Sequence, residues 1–181
     1  MKLQNHVFLI GFMGCGKTTI GKLLADQLKV QFIDTDSLIK ERTHLSIPEI
    51  FSKWGEGKFR ELEEQAIESI VSFPPSVISL GGGAILSKEN RSIIFNSGLS
   101  IYLKWRSKTL YERLLRCKDR PLLYNVPVNK LLEHIIDMMK KRKKYYECAH
   151  IVVTGDNFKT LHSLIEHLKH EISTYNVEVT Y

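Results

Sequence analysis

Cysteine is scarce: the 181 residues hold only Cys15, Cys117 and Cys148. They are widely spaced, without a CxxC or a Cys/His ligand pattern, which excludes a disulfide framework and a zinc site. A reducing cytoplasm fits such a chain. Long apolar runs are missing as well, since no stretch approaches the about 20 residues that cross a bilayer. The run Val7-Phe8-Leu9-Ile10-Gly11-Phe12-Met13 follows a single Lys and is too short for a secretory signal, so it reads as a buried strand. Proline and glycine, 5 and 11 residues, are not in the excess that marks disorder. Repeats, linkers and low-complexity segments are absent too. No N-K-x-D signature of guanine recognition appears, and no basic motif interleaved with aromatics suggests an RNA or DNA module.

What is present is an ordinary globular composition, 43% apolar and 25% charged. A chain of this length buries one large core, so residues 1–181 are expected to form a single domain, acting as a monomer. The formal net charge of +6 is consistent with nucleic acid or with small anions. Its densest run, Lys140-Lys141-Arg142-Lys143-Lys144, reads mostly as the solvated face of a helix. Small anionic substrates are therefore favoured over nucleic acid.

Hydrophobic patterning alternates strands with helices. Val7–Ile10, Val30–Ile33, Val77–Leu80, Leu99–Leu103 and Ile151–Val153 are short continuous apolar runs, the pattern of strands buried on both faces. Helical spacing follows Lys17 to Leu28, and marks Ser37–Arg42, Ile47–Lys53, Phe59–Ile70, a stretch from about Lys108, Val128–Tyr146 and Phe158–Ile172. Cys117–Val126 has little periodicity and reads as a mobile loop between helices. The fold class is α/β, a parallel sheet with helices on both faces.

Gly11-Phe12-Met13-Gly14-Cys15-Gly16-Lys17-Thr18 matches G-x-x-x-x-G-K-[ST], in which backbone N–H groups wrap phosphate oxygens. A buried strand precedes it and an amphipathic helix follows, the context in which this P-loop pattern is meaningful. Gly14, Cys15, Gly16, Lys17, Thr18 and Thr19 are the candidate nucleotide contacts. Lys17 would reach the β- and γ-phosphates as a catalytic cation, and the Thr18 hydroxyl would ligate Mg²⁺.

A P-loop does not by itself separate kinases from other nucleotide-binding proteins. Asp34-Thr35-Asp36 lies at the end of the second strand, where alternation sends both carboxylates to one side, one for metal and one for substrate. The competing reading makes Asp36 the cap of the following helix. Further on, Gly55-Glu56-Gly57-Lys58-Phe59-Arg60-Glu61-Leu62-Glu63 opens a helix, and Gly81-Gly82-Gly83 closes a buried strand.

With the P-loop, D-T-D, G-E-x-x-F-R-x-x-E, the triple glycine, Arg120-Pro121-Leu122-Leu123 and an R-x-x-x-Y at Arg142–Tyr146, the chain resembles shikimate kinase. The motifs stand in that family's order from residue 11 to residue 146. The resemblance implies a nucleoside-monophosphate-kinase-like fold that transfers the ATP γ-phosphoryl to the 3-hydroxyl of shikimate. It implies that Asp36 orients the acceptor hydroxyls and serves as base, and that Asp34 stands near Mg²⁺. Arg60 and Arg142 would hold the substrate carboxylate, Gly82 and Gly83 would give backbone contacts, and Phe51 and Phe59 would line the pocket. Arg120 would close a lid at about 117–126, over an acceptor-binding region at about 35–72. Arg113 or Arg116 would stack on adenine, with Arg116 preferred. Many relatives have a proline inside R-x-x-x-Y, where this chain has Lys143-Lys144-Tyr145.

Helical geometry separates Arg142 from the lysines around it. At roughly 100° per residue, it falls in the arc of Leu131, Ile135, Met139 and Tyr146, while Lys140, Lys141, Lys143 and Lys144 lie outside or at its margin. An inward guanidinium needs an anionic partner or an open cleft. Two rivals remain at this level: a sugar-acid kinase such as gluconate kinase, and a nucleotide-binding regulatory module without turnover. D-T-D with G-E-x-x-F-R counts against the first, and the full set of charged residues against the second.

Overall fold

Five apolar runs pair side by side as parallel strands, β1 (His6–Ile10), β2 (Gln31–Asp34), β3 (Ser76–Ser79), β4 (Gly98–Lys104) and β5 (Ile151–Thr154), in the order β2-β3-β1-β4-β5. β1 and β3 are buried at every position, which is why their sequences do not alternate. The structure, a computed structural model, describes residues 3–116, 121–124 and 126–178.

Among the described residues the strands are connected by six α-helices, α1 (Lys17–Leu28), α2 (Thr35–Thr43), α3 (Ile47–Ile70), α4 (Lys88–Ser97), α5 (Ser107–Leu114) and α6 (Leu131–Tyr146), and α7 (Leu161–Glu178) follows β5. The main core runs from Phe8 and Leu9 of β1 through Leu24, Ile67, Ile78 and Ile101 to Ile135 and Leu168, joining sheet and helices. A smaller cluster, Ile39, Ile50, Phe59 and Ala66, glues α2 to α3 beside the sheet.

The helices expected at 47–53 and 59–70 are both present: α3 starts on a Ser46/Glu49 capping box and is interrupted between them by a kink at Gly55, whose φ of 78° and ψ of 173° are not helical. More important for the site, β2 stops at Asp34, and Thr35 and Asp36 already belong to the first turn of α2. Strand alternation therefore does not aim the two carboxylates. Asp34, not Asp36, caps α2, accepting from the Ser37 N–H at 3.2 Å. The last helix begins at Leu161 and extends to Glu178, well past Ile172.

The strand order concentrates the motifs. β1, β3 and β2 are neighbours, and their carboxyl ends carry the P-loop, the triple glycine and D-T-D in turn. β4 and β5 continue the same edge with Trp105 and Gly155. In an open parallel sheet this edge is where ligands bind.

Candidate active site

The P-loop begins where β1 runs out. Gly14 and Gly16 take φ of 77° and 91°, the left-handed region that costs other L-residues roughly 1–2 kcal/mol, and Gly16 is the N-cap of α1. No side chain caps that helix, so its first N–H groups and its dipole point into the loop. Lys17 is largely buried and its Nζ donates to the carbonyls of Gly11 at 2.9 Å and Phe12 at 3.1 Å. Beside it the Thr18 hydroxyl donates to Asp34 Oδ2 at 2.8 Å.

Thr35, the middle of D-T-D, has a structural task that its sequence position conceals. Fully buried, its hydroxyl donates to the Ser79 carbonyl at 3.3 Å and accepts from the Gly81 N–H at 3.0 Å. One side chain thus ties the end of β2 to the start of the triple glycine. Those glycines are needed because side chains arrive from above: a Cβ on Gly81 would strike the Glu63 carboxylate, and one on Gly83 the Arg60 guanidinium.

Arg60 is fixed on α3 by two carboxylates, Glu63 Oε2 at 2.7 Å from Nη1 and Glu56 Oε1 at 2.9 Å from Nη2. Burial opposes its charge, but Glu63 and Glu56 outweigh that and raise its pKa. Glu63 is buried completely, and desolvation pushes its pKa up to about 7 even though Arg60 pulls it down. Asp36, the next influence, pushes in the same direction as burial. Sequence reading placed Glu63 in a motif without giving it a role; its spacing of three from Arg60 on one helix was the available signal.

Arg142 lies inward, 7% exposed, with Leu131, Ile135 and Tyr146, while Lys140, Lys141, Lys143 and Lys144 are exposed. Its Nη1 donates to the Gly82 carbonyl at 3.1 Å. Tyr146 donates to the same carbonyl at 2.6 Å and stacks on Tyr102, with centroids 5.0 Å apart. Burial raises the Tyr146 pKa far enough that it remains a neutral donor.

These groups line a chain of three cavities. The first is walled by Asp36, Phe51, Phe59, Arg60, Glu63, the three glycines, Leu122 and Arg142. The second holds Lys17, Thr18, Asp34 and the P-loop, and shares Met13, Asp36, Gly81 and Gly82 with the first. The third shares Gly14, Gly16 and Thr19 with the second and extends to Trp105, Arg113 and the segment Phe158–Leu164. Asp36 therefore stands at the doorway between the first two.

Of the expected site residues, Gly14, Gly16, Lys17, Thr18, Thr19, Asp34, Asp36, Arg60, Gly82, Gly83 and Arg142 line this run of cavities, as does Cys15 in the third. Arg116 does not join them. It is exposed beyond the end of α5, and Arg113, one turn earlier, faces the third cavity and donates to the Gly14 carbonyl at 3.4 Å. Arg120, with the rest of 117–120 and residue 125, lies outside the described residues.

The donor set in the second cavity suits a hard divalent cation. A hydroxyl and a carboxylate meet there at hydrogen-bond distance, and no group of three His, Cys, Asp or Glu side chains forms a cage among the described residues. Mg²⁺ binds in this manner, through one or two protein oxygens with phosphates and water completing its shell.

Comparison with known proteins agrees with this geometry. The family model described as "Shikimate kinase" matches residues 13–173. A shikimate kinase of Chlorobium chlorochromatii is 39% identical over 179 residues, covering 96% of this chain and 94% of that protein. The solved structure of shikimate kinase from Acinetobacter baumannii in complex with shikimate superposes with a TM-score of 0.87 at 33% identity, covering 94% of each chain. A gluconokinase from Sinorhizobium meliloti covers 99% of this chain and 98% of its own, with a TM-score of 0.63 and 14% identity, a likeness of fold alone.

Proposed function

This chain belongs to the shikimate kinase family, and from that premise we propose how its three joined cavities divide the work of the reaction. It is an ATP-dependent kinase that converts shikimate to shikimate 3-phosphate. In our reading the first cavity takes shikimate, the second the triphosphate and the third the base. The observation that carries this division is the position of Asp36, in the wall common to the first two cavities.

Arg60 and Arg142 approach the triple glycine from α3 and α6. Two planar guanidiniums suit a carboxylate, which they can grip through paired N–H donors. Gripping the carboxylate of the acid there leaves the ring hydroxyls toward Asp36. The Asp36 carboxylate accepts the proton of the 3-hydroxyl as that oxygen bonds to the γ-phosphorus, and the bond from the γ-phosphorus to the bridging oxygen of ADP breaks. Lys17 turns from the Gly11 and Phe12 carbonyls to the phosphate oxygens, where its charge stabilises the transferring group. Thr18 and Asp34 are the residues that would hold Mg²⁺, which supplies charge neutralisation on the phosphates when bound. Arg120 lies in the proposed lid, about 117–126, and adds a cation when the lid closes over both substrates.

The α2–α3 unit with its own apolar cluster supports treating about 35–72 as an acceptor-binding region of one domain, 1–181. We propose further that the enzyme works as a monomer in the cytoplasm and binds neither nucleic acid nor membrane. Cys15 and Cys148 are unpaired thiols, and no helix among the described residues is long and apolar enough to cross a membrane.

The test is ADP release with ATP and shikimate, with ATP and gluconate, and with ATP alone. Turnover with shikimate should exceed both others by at least about a hundredfold, because a lid that closes only over the correct acceptor excludes water. Equal release with gluconate would assign the first cavity to another acid.

A further inference from the structure

Trp105 follows the last residue of β4, and its indole packs so closely on the backbone of Gly155 that a Cβ there would collide with the ring. The Arg113 guanidinium lies over the indole, 3.8 Å from the ring centroid, and also reaches the Gly14 carbonyl of the P-loop. Trp105 and Arg113 both line the third cavity. The indole Nε1 is buried and has no hydrogen-bond partner among the described residues. The side chain therefore contributes through its face and its volume, while its donor is left unused.

We infer that Trp105 is a positioning residue for the nucleotide base, holding the Arg113 guanidinium flat at the wall of the third cavity so that a purine stacks on a cation already in place. The inference rests on reading that cavity as the base site. A guanidinium is planar and weakly hydrated on both faces, so it can stack on an aromatic ring with one face and offer the other. Left alone, an arginine on a helix end samples many rotamers, and a base that stacked on it would have to order it first. The indole and the P-loop carbonyl have done so beforehand, which is preorganisation in the ordinary sense. The same contact connects the base wall to the phosphate loop through Gly14, so both ends of the nucleotide meet one rigid assembly.

Steady-state kinetics on the full chain test this. Trp105→Leu should raise the KM for ATP roughly fivefold to tenfold, the size of a partly desolvated cation–π contact, while kcat and the KM for shikimate stay within about twofold. Trp105→Phe keeps an aromatic face and should restore the ATP KM to within about threefold. Trp105→Met refills volume without a ring and should behave as Leu does, and it replaces that variant if Leu fails to fold. Arg113→Ala should raise the ATP KM at least as far, and adding Trp105→Leu to it should have little further effect. Inhibition by inorganic tripolyphosphate, which has no base, should not change in Trp105→Leu or Trp105→Met. A normal ATP KM in Trp105→Met beside a raised one in Arg113→Ala would overturn the role of Trp105 and leave the base site standing. Weakened tripolyphosphate inhibition would overturn it differently, by making Trp105 a prop of the P-loop. An ATP KM unmoved by both Trp105→Met and Arg113→Ala would remove the base from the third cavity, and the inference with it.

Discussion

Arg142 shows how much one side chain's surroundings matter in a charged stretch. Four of the five residues in Lys140–Lys144 lie in water, and the fifth is 7% exposed with its guanidinium on the Gly82 carbonyl. Arg142→Lys keeps the charge and loses the planar fork. The KM for shikimate should rise about tenfold or more with little change in that for ATP, whereas Lys141→Ala and Lys144→Ala should do almost nothing; kinetics with each substrate varied in turn distinguish these outcomes. Glu63 carries a different prediction, because its pKa stands at about 7, above the ordinary carboxylate value, through burial. A group whose folded pKa is raised binds its proton more tightly in the folded state. Its contribution to stability is complete below the unfolded pKa and declines as pH rises from there through about 7. Thermal midpoints of the wild type should therefore fall relative to Glu63→Gln as pH is raised from about 5 to 8, by roughly 2–4 °C for each kcal/mol lost. A constant difference between the two proteins across that range would mean that Glu63 stays ionised when buried.

Among the elements, the turn after β3 is closely constrained. Gly83 lies beneath Arg60, so Gly83→Ala forces the guanidinium away from its place between Glu56 and Glu63. Arg60 is the far end of a flexible side chain and can yield, so the protein should fold. The KM for shikimate should nevertheless rise on the order of tenfold, since small misplacements of a substrate clamp are costly. An unchanged KM would show that Arg60 grips from another position. The strands were legible as short runs rich in apolar residues, buried throughout in β1 and β3 and only in part in the edge strands β2 and β5, and the P-loop was legible because its glycines and Lys17 have fixed spacing. The sequence was less informative where one element passes into the next. D-T-D reads first as the tail of a strand, with the head of a helix as the competing reading, and the observed break at Asp34 decides that Asp34 caps while Asp36 enters the cleft from α2. Thr35 and Trp105 were not legible at all: Ser79 and Gly81, which Thr35 joins, and Gly155, on which Trp105 packs, are distant in sequence. The spacing of Arg113 and Arg116 does not show where α5 ends; with its end at Leu114, Arg113 lines the cavity and Arg116 does not.

Seen whole, the molecule is a parallel sheet whose order β2-β3-β1-β4-β5 places D-T-D, the triple glycine and the P-loop along one edge. In the proposed division, acceptor residues come from the β2 and β3 end with α3 and α6, phosphate residues from β1, and the base wall from β4 and β5. The phosphate loop is central because β1 is the middle strand. A gluconokinase at 14% identity shares this fold. Asp36 belongs to the wall that the first two cavities share. Asp36→Asn retains the size of the side chain while removing its charge and basicity. The decisive measurement is kcat for ADP release in the presence of shikimate for this variant, with ADP affinity determined on the same protein. Transfer through Asp36 requires kcat to fall by about a hundredfold or more while ADP affinity stays within about twofold. A kcat near that of the wild type, or a loss confined to nucleotide affinity, would contradict it and move Asp36 to the metal side of the cleft.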